Sequence, residues 1–156
     1  ALLADALGCM AVDARPFWLV IGDGPERAAL EKRVHTRSIQ TTTQFLGAID
    51  NPLPWMQAAD IVALPSLYEG LPTVLIEALA LGVSCVATDC PTGPRQISLS
   101  GGALHLVDNA SPIGFANGIQ NALSTTQRDT SFDIAPFTFK AAANGMLSIL
   151  NHGTIG

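Results

Sequence analysis

Basic residues are scarce in this chain, where eight Lys and Arg stand against 13 Asp and Glu and give a formal net charge of −5. The basic residues are scattered, and no basic stripe is interleaved with aromatic side chains, which argues against a nucleic-acid partner. No apolar run approaches the length of a membrane span, so no transmembrane segment is expected. The first 16 residues lack the basic start of a signal peptide and instead predict an amphipathic helix. Arg15, at the entrance of the first predicted strand, is expected to be solvated. Cytoplasm is therefore the expected location.

Cysteine is equally sparse, with three residues in the whole chain. Cys9 stands alone, and Cys85 and Cys90 form neither a CxxC pair nor a zinc-binding spacing. We therefore expect buried, reduced thiols. The dispersed histidines receive no role.

Apolar residues are plentiful, making up 48% of the 156 residues, enough for one substantial core. Two explanations stay open for this richness. The apolar residues could form parallel strands covered on both faces, or part of the apolar surface could face another domain.

Strand-like and helix-like segments alternate along the chain. Strands are predicted at 17–21, 43–46, 61–64, 84–87 and 104–107, and helices at 25–35, 51–58, 72–81, 112–123 and 138–150, with a loop at 124–131. This alternation predicts an α/β fold with one Rossmann-like parallel sheet and helices on both faces. No second domain boundary is visible, so residues 1–156 are interpreted as a single domain.

Ligands of such folds bind at the carboxyl ends of the strands, where Gly22, Gly47, Glu69 and Asp89 fall. The segment Gly22-Asp23-Gly24 invites comparison with a dinucleotide fingerprint. That fingerprint requires a small residue at position 27, which is Arg27, and an acid about twenty residues later, where none stands. A tight strand-to-helix turn at the wall of a cleft is the better interpretation.

Two glutamates flank a helix start in the segment from 65 to 97. Glu69 precedes the predicted helix, Pro72 suits its first turn, and the amides of Thr73 and Val74 are free to point at an anion. Glu77 lies on the same helix face as Thr73, roughly 6 Å further along the axis. Carboxylates accept hydrogen bonds from sugar hydroxyls, and helix-start amides donate to phosphates. Taken in isolation, Glu77 has a simpler interpretation than ligand binding, as a residue on the solvent-facing side of a helix that packs on a sheet.

The spacing of Glu69 and Glu77 resembles the E-x7-E motif of retaining GT-B glycosyltransferases, the family called group 1 or family 4. Further segments resemble that family in order and spacing: IGDGPE at 21–26, FLG at 45–47, ADIVALPS at 59–66, EALALG at 77–82 and TDCPTGPR at 88–95. The resemblance covers roughly residues 1–125, and its specificity comes from the combination of motifs.

The resemblance implies that this chain is the C-terminal, donor-binding half of a GT-B fold. The implied reaction moves a sugar from a nucleoside diphosphate to an acceptor hydroxyl with retention of configuration. It implies no cofactor and no bound metal, and the donor is a nucleotide-sugar, for which a UDP-sugar is preferred. The 88–95 segment resembles enzymes of bacterial surface-polysaccharide assembly, which act at the inner face of the membrane.

The resemblance also implies a role for each site residue. Glu69 would face the donor sugar as the catalytic-site residue, and Glu77 would hold the ribose. Further residues would bind the rest of the donor. Residues at the helix start would contact the diphosphate or the sugar: Gly70, Leu71, Pro72, Thr73 and Val74. Gly47 and Ile49 would lie near the nucleobase, and Gly22 would form the cleft wall.

The chain also departs from the family. The family's first strand, the Arg and Lys of the loop after it, and the N-terminal acceptor domain have no counterpart in residues 1–16, and Gln96 replaces a usual acid. We therefore expect a truncated donor-binding domain, inactive without a missing domain or partner chain. A non-catalytic nucleotide-sugar-binding or interaction module is the first alternative. A sugar-nucleotide epimerase of the same fold is the second, against which the E-x7-E helix start argues.

Overall fold

The computed structural model describes residues 1–90, 92–108, 111–124 and 127–144. The strands are β1 Trp18–Ile21, β2 Thr43–Gly47, β3 Ile61–Leu64, β4 Ser84–Thr88 and β5 Leu104–Val107. The helices are α1 Leu2–Cys9, α2 Arg27–Thr36, α3 Leu53–Ala58, α4 Thr73–Ala80, α5 Pro94–Ser98 and α6 Pro112–Ser124. Three short 3₁₀ turns occupy Val12–Ala14, Gln40–Thr42 and Ala135–Phe137.

The predicted alternation of strands and helices is confirmed, with most boundaries displaced by one or two residues. α6 begins as its sequence predicts, because the Ser111 hydroxyl accepts a hydrogen bond from the Gly114 amide at 3.0 Å. Of the predicted last helix, residues 139–144 are helical and residues 145–150 lie outside the described part of the chain. The short helix α5 escaped prediction because its five residues give no helical periodicity.

All described strand pairs are parallel, but they form two ladders where the alternation predicted one sheet. β1 pairs with β2, with Trp18 opposite Thr43. β3, β4 and β5 form the second ladder, with β4 in the middle. The α/β, Rossmann-like fold class is therefore confirmed, whereas the single continuous sheet is wrong for these residues.

β4 lies at the centre of the core and is buried along its whole length. Its alternate residues enter two different apolar clusters, as expected for a strand covered on both faces. Val86 packs with residues of α1 and α6, whereas Cys85 and Ala87 pack with residues of α4. The prediction of helices on both faces is confirmed.

The N-terminal segment differs from its prediction. The helix ends at Cys9, and the five residues from Leu3 to Leu7 are all buried, so the predicted amphipathic helix of 16 residues is wrong. Asp5 can be buried within this run because its carboxylate is bound by Arg33 of α2 and by Arg37, which directly follows α2.

Two further expectations are corrected in the same region. Arg15 is not simply solvated, because its guanidinium donates to the carbonyl oxygens of Met10, Ser38 and Gly8. Cys9 is exposed, so only Cys85 and Cys90 are the buried free thiols that the sequence predicts.

Candidate functional site

Two glycine turns meet at the carboxyl ends of β1 and β2. The amide of Gly22 donates to the carbonyl oxygen of Gly47 at 2.7 Å, which extends the β1–β2 pairing into the turns. Both residues have positive φ angles, 117° and 74°, a conformation in which a side chain would be strained. The structure thus brings together two of the predicted site residues. Ile49 follows two residues after Gly47 and is half-buried.

Arg27 lies beside these turns, and its place in the site was missed from the sequence. Its guanidinium sits 5.7 Å from the centre of the Phe45 ring and donates to Glu31 at 2.9 Å. Arg27 also donates to Asp23 at 3.4 Å, which ties α2 to the Gly22-Asp23-Gly24 turn. The available sequence signal was the pair of carboxylates four residues before and after Arg27.

The Glu69 loop, residues 65–72, joins β3 to α4. Glu69 within it is half-buried, whereas Gly70 and Leu71 are exposed. Pro72 is buried and has a ψ of 97°, which is extended and not helical. It therefore immediately precedes α4, and the prediction that the helix begins at Pro72 is wrong by one residue. The helical face that follows carries Thr73 and, one turn later, Glu77, which is half-buried.

The start of α4 presents unfilled backbone donors, because the first amides of any helix lack intrahelical partners. The amide of Leu75 is satisfied by the Pro72 carbonyl oxygen at 3.1 Å. Among the described residues, no side chain caps the helix start, so the amides of Thr73 and Val74 remain available. A helix start of this kind attracts anions through its amides and its dipole.

The carboxylates of Glu69 and Glu77 differ from several other acids of the domain. Asp5, Asp23, Glu31 and Asp89 all form ion pairs with arginines. For the part of the chain that the structure describes, neither Glu69 nor Glu77 has a side-chain hydrogen bond or ion pair. Each therefore retains its acceptor capacity for a ligand.

A second turn follows β4 and borders the Glu69 loop, and its described residues are 89–90 and 92–93. Asp89 binds the guanidinium of Arg95, with Nε to Oδ1 at 3.0 Å, and this hydrogen bond lowers the pKa of Asp89. Burial raises the pKa of the Cys90 thiol, and the negative charges of Glu69 and Asp89 raise it further. The Cys90 thiol also donates to the Ser66 carbonyl oxygen at 3.1 Å, which joins this turn to the Glu69 loop.

The structure therefore groups the predicted site residues into two sets of contacts. One set joins Gly22 to Gly47 beside Arg27, and the other joins the Glu69 loop to the turn after β4. Within the described ranges, no group of three or more His, Cys, Asp and Glu side chains is arranged to hold a metal ion. None of the described helices has the length and apolar character needed to cross a membrane.

The family model for glycosyl transferases group 1 matches residues 2–125. An uncharacterised glycosyltransferase of Methanocaldococcus jannaschii is 35% identical over 79 residues, which are 51% of this chain and 20% of that protein. The amylovoran biosynthesis glycosyltransferase AmsD of Erwinia amylovora is 29% identical over 114 residues, 73% of this chain and 32% of AmsD.

Solved structures share the fold at lower identity. The lipopolysaccharide outer core galactosyltransferase WaaB, in its apo form, gives a TM-score of 0.78 at 23% identity and matches 94% of this chain. Anabaena HepE in complex with UDP gives 0.77 at 21% identity and matches 96%. In both cases the match covers 44% of the solved chain, so this chain spans less than half the length of these neighbours.

Proposed function

Because this chain belongs to the group 1 glycosyltransferases, we propose that it is the donor-binding domain of a retaining glycosyltransferase. The proposed reaction transfers a sugar from a nucleoside diphosphate to an acceptor hydroxyl. The similarity to AmsD, a protein of amylovoran biosynthesis, supports a role in bacterial polysaccharide biosynthesis. We further propose that this is surface-polysaccharide assembly in the cytoplasm, at the inner face of the membrane. The HepE complex with UDP favours a UDP-sugar as the donor.

The observation that carries the proposal is that Glu69 and Glu77, which form no ion pair with another described residue, lie on either side of the start of α4, which no described side chain caps. This order matches the order of groups in a nucleotide-sugar, where a charged diphosphate lies between two groups rich in hydroxyls. Glu77 accepts hydrogen bonds from the ribose, and Glu69 faces the donor sugar. Between them, the amides of Gly70, Leu71, Thr73 and Val74 bind the diphosphate or the sugar.

The nucleobase occupies the region near Gly47 and Ile49, with the Gly22 turn forming the adjacent wall. Arg27 is held there by Asp23, Glu31 and the Phe45 ring, so it stiffens this part of the site. We propose that no metal ion is required, since the helix-start amides and dipole supply positive potential at the diphosphate. Negative charge develops on the leaving diphosphate during transfer, and these amides stabilise it in the transition state.

The division of the strands into two ladders supports the proposal that a further strand belongs between β1 and β3. Trp18 and Phe45 of one ladder contact the same apolar cluster as Ile61 and Ala63 of the other. The two ladders therefore share one helical layer, and among the described strands β1 and β3 each keep one edge without a partner. We propose that a strand outside residues 1–156 joins these edges, and that the acceptor domain and the cations for the diphosphate belong to the same missing part.

Replacing Glu77 by glutamine tests the ribose contact. A hydrogen bond to a charged group contributes about 1–3 kcal/mol, so Glu77→Gln should raise the Kd for UDP by roughly 5- to 140-fold. Isothermal titration calorimetry with UDP and GDP measures the change and identifies the preferred base. Asp13→Asn is the matched control, since it removes one exposed acid that forms no ion pair with any described residue. Equal UDP affinity in the wild type and Glu77→Gln would overturn the ribose assignment.

A further inference from the structure

The Glu69 loop owes its conformation to the turn after β4. It has no regular secondary structure, and its eight residues could adopt many conformations on their own. Among hydrogen bonds between described residues, those that reach the backbone of 66–71 come from Cys90 and Thr92. The Cys90 thiol donates to the Ser66 carbonyl oxygen at 3.1 Å, and the Thr92 hydroxyl donates to the Glu69 carbonyl oxygen at 2.5 Å.

Gly93 adds a steric contact to these hydrogen bonds. A Cβ atom at this position would lie 2.5 Å from the Gly70 carbonyl oxygen and 2.8 Å from Cδ of Pro72. Its φ of 82° is also in the region that favours glycine. Only glycine allows the turn to lie directly against the loop that leads into α4.

Two described residues of the turn, Asp89 and Gly93, are connected to the core by hydrogen bonds. The amide of Asp89 donates to the Val107 carbonyl oxygen at 3.0 Å, so the turn continues the β4–β5 ladder. At the other end, the Ile97 amide donates to Gly93 at 3.0 Å, and the Ile97 side chain is fully buried. Asp89 and Gly93 are therefore anchored to the core on either side of the residues that contact the Glu69 loop.

We propose that Thr92 and Gly93 are positioning residues for the donor site, acting through the backbone of Glu69, Gly70 and Pro72. This inference rests on the proposed function of the Glu69 loop. The contact from Thr92 is to a carbonyl oxygen, so it orders the loop and leaves the Glu69 carboxylate free for the ligand. Glu77 lies within α4 and does not depend on this contact, so a loosened loop affects the diphosphate and the sugar more than the ribose.

A pair of variants at Thr92 tests the hydrogen bond. Thr92→Val removes the hydroxyl and keeps the shape, whereas Thr92→Ser keeps the hydroxyl. Since Thr92 is exposed, neither change creates a cavity, and the urea midpoint should stay close to the wild type. Hydrogen–deuterium exchange should be faster in peptides covering 66–71 for Thr92→Val only. Loss of one hydrogen bond between uncharged groups changes an equilibrium constant by roughly 2- to 12-fold. We expect a rise of this size in the Kd for UDP in Thr92→Val.

A second pair, at two glycines, tests the steric contact. Gly93→Ala and Gly101→Ala share a φ of 82° and a nearby carbonyl oxygen, so both variants incur backbone strain. Gly101 packs against Ser131, away from the Glu69 loop. Gly93→Ala should therefore weaken UDP binding by at least as much as Thr92→Val, while Gly101→Ala binds UDP as the wild type does.

The outcomes separate this inference from the proposed function. Equal exchange at 66–71 in Thr92→Val and Thr92→Ser would overturn the positioning role, whether or not the chain binds UDP. Faster exchange with unchanged UDP affinity would also overturn it, because a merely structural contact gives that result. Failure of the wild type to bind UDP, with the exchange difference present, would overturn the proposed UDP site and with it the ligand-positioning role, while leaving the loop contact established.

Discussion

Asp5 lies in α1 with only 7% of its surface exposed, and its carboxylate accepts three hydrogen bonds from two arginines, one in α2 and one directly after it. Arg33 donates through two nitrogen atoms at 2.6 and 2.7 Å, and Arg37 donates at 2.7 Å. The hydrogen bonds from Arg33, with a smaller contribution from Arg37, lower the pKa of Asp5 from 3.8 to about 2. These contacts join α1 to α2, so neutralising Asp5 should weaken the folded state.

The magnitude follows from the pKa shift. One pKa unit corresponds to about 1.4 kcal/mol. The shift from 3.8 to about 2 therefore sets an upper limit of roughly 2.5 kcal/mol on what the ionised Asp5 contributes to the free energy of unfolding. The side chains of Arg33 and Arg37 are 43% and 41% exposed, so water screens part of this interaction and solvates both arginines once the acid is gone. We expect Asp5→Asn to lower the free energy of unfolding by about 2 kcal/mol at pH 7.

The pH dependence has a definite sign. Because the folded-state pKa of Asp5 is lowered, its contribution is complete above about pH 4 and is lost as the pH falls through 2. Urea unfolding of the wild type and Asp5→Asn at pH 7, 5 and 3 measures the difference, which should shrink at the lowest pH. Asp13→Asn serves as the control and should match the wild type. An Asp5→Asn variant as stable as Asp13→Asn at pH 7 would refute the ion-pair argument.

Two other predictions concern the thiols and turnover. In the folded chain, iodoacetamide at pH 8 should label the exposed Cys9 well before the buried Cys85 and Cys90. Burial raises the pKa of Cys85 to about 12, so little of its reactive thiolate is present at pH 8. Mass spectrometry showing equally rapid labelling of Cys9 and Cys85 would contradict the described core. Since our proposal places the acceptor domain and the diphosphate cations outside residues 1–156, the chain alone should transfer no sugar from UDP- or GDP-sugars to lipid or sugar acceptors. Loss of one preorganised charge-stabilising donor costs about 10²–10³ in rate, and transfer at about 1 per second would refute this placement.

Local patterns in the sequence determined most of the secondary structure. The boundaries of β3 and β5 were predicted to the residue because each is a short, mainly apolar run that follows a turn. The spacing of Glu69 and Glu77 around Pro72 likewise indicated the candidate site, because helix periodicity and helix-start chemistry act over a few neighbouring residues.

Tertiary structure decided what depends on residues far apart in the chain. Asp5 is buried because arginines 28 and 32 residues away neutralise it, which the pattern of α1 alone could not predict. The division into two ladders depends on which strand edges meet, and alternation of strands and helices does not specify this. The hydrogen bond from Thr92 to Glu69 spans 23 residues. Local periodicity therefore placed the two glutamates at a helix start. The contact that supports the loop of Glu69 depends on the pairing of β3 with β4, which brings the ends of the two strands side by side.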